Sequence, residues 1–227
     1  MPNPKPKRAR FPHDHYGPAL GLLVVLPAVG ALGGTPRLSA AASSLLVLLL
    51  WVAVGRASGL PKAYVRWGFV VATALVALSA VAVATDQDWL HAAVDIATSL
   101  CLLGVLVLLL RALLGEREVT ISTVAGVLAA YLMIGVVFTS AYSAAFTISA
   151  DAFSATFDPL ERFDLFYFSF ITLATVGFGD VTPANDVTRA LAMSEAVMGQ
   201  LFLVTVVARV VSLYRGRQRD APEEESG

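Results

Sequence analysis

Six stretches of this chain are long enough to cross a lipid bilayer and hold almost no charge. Tyr16–Gly34, Leu38–Gly55, Trp67–Thr85 and Val119–Tyr142 have none. Trp89–Leu110 contains only His91 and Asp95, and Ala190–Ala208 only Glu195. A spanning helix needs roughly 20 mostly apolar residues, so each run reads as a transmembrane helix. Composition agrees: 57% of the 227 residues are hydrophobic and 15% charged, and mean hydropathy is +0.73. A soluble domain of this size needs more charge on its surface. The first run could also serve as the apolar stretch of a signal peptide, but its length and its Pro- and charge-rich lead-in favour a span.

Basic residues set the expected orientation. Lys5, Lys7, Arg8 and Arg10 precede the first span; Arg56, Lys62 and Arg66 fill the second connection, and Arg111 and Arg117 the fourth. Arg209, Arg215, Arg217 and Arg219 follow the sixth. The first and third connections offer Arg37, Asp86 and Asp88. The clusters fall on one side, which predicts a multi-pass protein of the cell membrane with both termini cytoplasmic. Residues 1–15 then form a flexible cytoplasmic arm near anionic lipid, and the acidic Glu223–Glu225 belongs to a solvated tail. The net charge of -1 gives no sign of nucleic-acid binding. Cys101 is the single cysteine, so there is no disulfide framework. His13, His15 and His91 form no metal motif of a membrane enzyme, so an enzyme is not expected.

Between the fifth and sixth spans lies a different segment, Phe163 to Asp180. Phe163–Ala174 suits a helix but is too short to cross. Thr175-Val176-Gly177-Phe178-Gly179-Asp180 does not suit one. Both ends face outside, so the segment dips into the membrane and returns. Non-helical backbone at that depth is tolerated where protein buries it or where it lines a watery path. Gly177 and Gly179 can take φ values closed to other residues, and alternating handedness turns successive carbonyls to one side. A ring of such strands can replace the hydration shell of a cation. Val176 and Phe178 would pack outward and hold its diameter. The short helix adds about half an elementary negative charge at its C-terminal end. A Gly-containing turn between helices is the structural alternative. A dinucleotide-binding loop is not, because Gly177-Phe178-Gly179 lacks the third glycine and opens no helix.

Thr175–Asp180 resembles the selectivity filter of tetrameric potassium channels, and Tyr167–Thr175 resembles their pore helix. The resemblance extends through Val119–Tyr142 and Ala190–Leu213, roughly the last 100 residues. It implies that the carbonyls of Thr175, Val176, Gly177 and Phe178, with the Thr175 hydroxyl, coordinate dehydrated K⁺. It also implies support from Gly179 and from an Asp180–Tyr167 hydrogen bond, and a homotetramer, since one filter strand per chain needs four chains. No cofactor beyond the bound K⁺ ions is implied. The chain departs from the family at Ala174, where Thr is usual, at Tyr167 and Phe168, where Trp is common, and at Ile171, where no acid sits.

The expected fold is an all-α membrane protein of six helices, with a re-entrant pore helix and filter loop between the fifth and sixth. Residues 16–114 make a four-helix module, 115–214 the pore domain and 215–227 a cytoplasmic tail too short for a ligand-binding domain. The fourth span lacks the regularly spaced Arg or Lys of a voltage sensor, so the module is expected to be a scaffold or a receptor for lipid or an unknown ligand. Passive K⁺ conduction without steep voltage gating is the expected function; a non-selective cation channel is the alternative, and a K⁺ transporter subunit a further one.

Several other residues have two readings. Asp151, Asp158, Glu161, Asp164 and Asp186, against Arg162 and Arg189, either concentrate cations at the outer mouth or are ordinary solvated loop residues. Asp158 followed by Pro159 resembles a helix N-cap. Glu195 is expensive unpaired inside a span and is expected to bond near the pore helix. Gly199 is either a gating hinge or a close-packing site. Asp95 is expected to bond a neighbouring helix, or His91 one turn away.

Overall fold

The computed structural model describes residues 16–32, 48–53, 62–85, 87–115, 120–149, 151–157 and 159–219. In chain order these form α1 (Gly17–Leu32), a helical segment α2 (48–53), α3 (Lys62–Thr85), α4 (Asp88–Gly115) and α5 (Ile121–Ile148). Then come strand β1 (Phe153–Ala155), α6 (Arg162–Leu173), strand β2 (Val181–Pro183) and α7 (Asp186–Arg219).

Four of these helices are long and apolar enough to cross a membrane: Arg66–Thr85, Asp88–Leu114, Ser122–Ile148 and Asp186–Val206. They coincide with the last four expected spans. The first expected span, Tyr16–Gly34, corresponds to α1, which covers 16 of its residues within the described part of the chain. Of the second, Leu38–Gly55, only 48–53 lies within the described residues. The N-terminal arm, Glu223–Glu225 and the basic residues before the first span lie outside them. α7 continues unbroken to Arg219, past the expected start of the tail at 215.

α5 is the central helix. Thr120 caps it reciprocally with Thr123: each backbone N–H donates to the other's hydroxyl, both at 3.2 Å. Its inward face carries Ala129, Ala130, Met133, Ile134 and Tyr142, all buried. Small residues let neighbours come close, which is how helices associate where lipid is as apolar as their side chains. A Cβ on Gly126 would lie 2.7 Å from Leu113 Cδ2 of α4, and one on Gly135 would lie 2.9 Å from Phe170 Cε2 of α6. Ser99 Oγ on α4 donates to Val137 O on α5 at 3.1 Å, a polar bond inside the bundle. On α3, Val70, Val71, Leu78 and Val81 stay exposed, as lipid-facing residues do. Trp67 and Trp89 are exposed at helix ends, where amphipathic rings suit the headgroup level.

The two short strands pair antiparallel, Phe153 opposite Pro183 and Ala155 opposite Val181. They join the chain just after α5 to the chain just before α7. Everything between them, α6 included, therefore leaves and returns at one place.

Candidate functional site

α6 and the residues after it make a closed excursion. Twelve helical residues advance about 18 Å, and the six extended residues 175–180 can climb back about 20 Å. Thr156 N–H donates to Asp180 O at 2.9 Å, which closes the excursion at its mouth. α6 begins at Arg162, later than the expected Asp158 cap. Glu161 is the cap, and its backbone N–H donates to Asp164 Oδ2 at 2.7 Å. An acid in the first helical turn also suits the positive end of the helix dipole.

The end of α6 creates the first unusual backbone. Val176 N–H donates to Ile171 O at 2.8 Å and Thr175 N–H to Thr172 O at 2.9 Å. These are the two bonds of a Schellman ending, which needs a left-handed residue at Thr175. Thr175 indeed has φ +57°, the one non-Gly residue with positive φ among the described residues. Glycine usually occupies such a position, and a β-branched residue there costs of order 1–3 kcal/mol. Gly177 follows at φ +56° and Gly179 at +79°. Left-handed residues thus alternate with Val176 and Phe178, a backbone that can present successive carbonyls to one side.

A strut stands behind this strand. Tyr167 Oη donates to Asp180 Oδ2 at 2.8 Å, and Val181 N–H donates to Asp180 Oδ1 at 3.1 Å. Both carboxylate oxygens are engaged. Sharing its proton with Asp180 raises the Tyr167 hydroxyl above the usual tyrosine range. Val176 and Phe178 are 52% and 70% exposed, so the described residues leave both largely uncovered.

Three other groups hold α6. At its start, Arg162 Nη1 donates to Asp95 Oδ2 of α4 at 2.8 Å and Nη2 to Thr147 Oγ1 of α5 at 3.2 Å. Asp95 therefore bonds a neighbouring helix, and Arg162 of α6 rather than His91 is its partner. At its end, Tyr131 Oη donates to Leu173 O at 3.0 Å, satisfying a carbonyl that a helix end leaves free. In its middle, Ser169 meets Glu195 of α7 at 2.5 Å, and Tyr142 Oη donates to Glu195 at 2.6 Å. Glu195 is fully buried. One turn along the same face of α7, a Cβ on Gly199 would come within 2.8 Å of Leu173 Cδ1 and 3.2 Å of Leu173 O. Gly199 is thus a close-packing position in this structure.

Tyr131, Tyr142, Ser169 and Arg162 were not singled out as partners in the sequence. The signal for two of them was Glu195 itself, since a carboxyl in a span requires donors. Behind the excursion, Tyr142, Phe153 and Phe168 pack edge to face with ring centroids 5.1–5.6 Å apart, tying β1 to α6. Of the mouth residues, Asp151 and Asp186 are exposed and Asp158 lies outside the described residues. Asp186 forms a 3.7 Å ion pair with Arg189. Among the described residues no cluster of His, Cys, Asp or Glu could hold a metal ion.

A profile described as "Ion channel" matches residues 127–215, which include the whole excursion and most of α5 and α7. Two pore potassium channel c of Oryza sativa subsp. japonica is 35% identical over 85 residues, covering 37% of this chain and 17% of that protein. Two-pore potassium channel 4 of Arabidopsis thaliana is 40% identical over 58 residues, 26% of this chain and 20% of that protein. The chain thus spans about a fifth or less of the curated relatives it matches. No solved structure matches it.

Proposed function

We propose that the chain is one subunit of a potassium-selective channel, a homotetramer that conducts K⁺ passively across the cell membrane. The observation that carries this reading is the backbone of Thr175–Gly179. Left-handed residues at every second position, directly after a short helix, are what a column of inward carbonyls requires. The carbonyls of Thr175, Val176, Gly177 and Phe178 and the Thr175 hydroxyl would take the place of water around K⁺, with Gly179, Asp180 and Tyr167 supporting them. The two plant relatives are potassium channels by name, and the residues that the ion-channel profile matches include this segment. A single strand surrounds nothing, so four chains are needed. The exposed Phe178 and Val176 support that, because large apolar side chains beside a filter need a neighbour to cover them.

Orientation follows from the basic connections: the termini are cytoplasmic and the Asp180 end faces outward. A carbonyl column stabilises a dehydrated ion of the size it fits, and the negative end of α6 favours cations over anions. No residue here transfers a proton or electron in the process, and the ion moves down its own gradient. The four-helix module would serve as scaffold or as receptor for lipid or another ligand.

Reversal potentials of the purified protein in a planar bilayer, under opposed K⁺ and Na⁺ gradients, test the proposal. A reversal near the K⁺ equilibrium potential is expected. Equal permeability to Na⁺ would instead establish the non-selective cation channel, the second reading. Its weakness is that both filter glycines and the aromatic between them are present.

A further inference from the structure

Glu195 lies at the meeting of three helices, and the hydrogen bonds around it can be counted proton by proton. A serine hydroxyl has one proton to give and two lone pairs. Ser169 Oγ lies 2.7 Å from Gly135 O and 2.5 Å from Glu195 Oε1. The Gly135 carbonyl, which also accepts from Thr139 Oγ1 at 2.8 Å, has no proton of its own, so its 2.7 Å contact with Ser169 Oγ uses the one proton that the serine has. The contact between Ser169 Oγ and Oε1 then needs a proton from the other side. The remaining oxygen, Oε2, already accepts from Tyr142 Oη at 2.6 Å. Only a proton on Oε1 completes the set.

The surroundings agree with this count. From α5 the titratable groups facing Glu195 are Tyr142 and, at longer range, Tyr131. α6 contributes Ser169, whose hydroxyl does not titrate. No ion pair reaches Glu195 among the described residues. A carboxylate without a cation would be expensive at that depth, whereas a neutral acid flanked by one donor and one acceptor is fully satisfied.

We propose that Glu195 is held as the neutral carboxylic acid and that its O–H, donated to Ser169, positions the pore helix and through it the filter. The chain of donors runs in one direction: Tyr142 to Glu195 to Ser169 to Gly135. It ties α7 to α6 and both to two points on α5, seven residues and two turns apart. Ser169 lies in the helix whose end sets the left-handed turn at Thr175. The missing Cβ of Gly135 leaves the Phe170 ring its place beside Ser169. Glu195 touches no ion and acts through Ser169, so it is a positioning residue. The filter half of this inference rests on the channel reading above; the protonation half does not.

The experiment uses the full chain reconstituted in lipid vesicles. Infrared difference spectra of wild type against E195Q at neutral pH read the protonation state. A protonated-carboxyl stretch that shifts in D₂O and is missing from E195Q is expected. A carboxylate band in its place would overturn the proposal whatever the flux does. K⁺ flux reads the positioning. The amide of E195Q supplies an N–H where the acid has its O–H, so E195Q should keep most of the wild-type flux. E195A should lose it by about tenfold, in line with the loss of one buried hydrogen bond per subunit. If E195Q is as impaired as E195A, a carboxylate is what the site needs and the proposal fails. S169A, which keeps the helix but removes the acceptor, should resemble E195A; S169A flux at the wild-type level would overturn the positioning role. Wild-type vesicles without K⁺ flux would sink the channel reading, while the infrared band would still decide the proton.

Discussion

Thr175 adopts a conformation that glycine adopts freely, and its neighbours two and four positions on are glycines in the same region of φ. Backbone strain at a β-branched residue persists only where the surroundings impose it. Here they are the two Schellman bonds behind it and the alternation of left-handed residues ahead. Gly177 tests the same geometry. A Cβ there would meet nothing in this chain within 4 Å, so G177A would be penalised by φ alone, at about 1–2 kcal/mol per subunit. Loss of K⁺ current is expected with the assembly intact by size-exclusion chromatography; wild-type K⁺ flux in G177A would refute the filter assignment. Y167F removes the donor that holds Asp180 and should speed entry into a non-conducting state several-fold in single-channel records. The strut should also resist alkali. The Tyr167 proton is held above its ordinary range, so the bond is fully present below the usual tyrosine pKa of about 10 and is lost only as pH climbs through the raised value. Open probability should therefore be flat from neutral to mildly alkaline pH in wild type.

At the scale of elements, α6 is held at its start, middle and end by three different helices. The Arg162–Asp95 pair, with side chains 23% and 15% exposed, connects it to α4, which also packs on α5. A largely buried pair broken on one side leaves a charge without compensation, and partial exposure softens that cost. D95A should destabilise the chain by roughly 1–3 kcal/mol, read as a lower Tm in detergent, and D95R combined with R162D should recover part of it. Gly199 presses on the end of the same helix. G199A drives a methyl into Leu173, and overpacking of that kind costs about 1–3 kcal/mol. A lower Tm in G199A is the expected result. Unchanged Tm together with altered opening would mean that Gly199 serves as a hinge instead.

For the whole molecule the open question is what the first helices respond to. Moving one elementary charge across 100 mV is worth about 2.3 kcal/mol, and steep gating takes 3–4 such charges in each subunit. α4 carries Asp88, His91 and Asp95 in its N-terminal half and no Arg or Lys before Arg111. Asp95 is bonded to Arg162 of α6, which makes it a poor candidate for travel. Stepping the voltage across a bilayer should thus give a shallow open-probability curve. An effective valence of several charges would show that a sensor is present.

The sequence by itself determined the elements whose signal is local. An uncharged apolar run can only be satisfied in lipid as a helix, which placed α3, α4, α5 and α7. Twelve apolar residues followed by alternate glycines marked α6 and the strand after it, because the glycines are needed where φ is positive. The need of Glu195 for a partner was legible too, since burial without donors is prohibitive. Who the partners are was decided by the tertiary structure. Arg162 lies 67 residues from Asp95 and Tyr142 53 residues from Glu195, and no periodicity encodes such distances. Three-residue strands are too short to alternate visibly, so the pairing of β1 with β2 was invisible. So was the cap at Glu161: Asp158 with Pro159 has the better local pattern, but Arg162 must reach Asp95 and Thr147. The positive φ of Thr175 is the clearest case. Its residue type argues against it, and only the helix ending behind it and the strand ahead make it necessary.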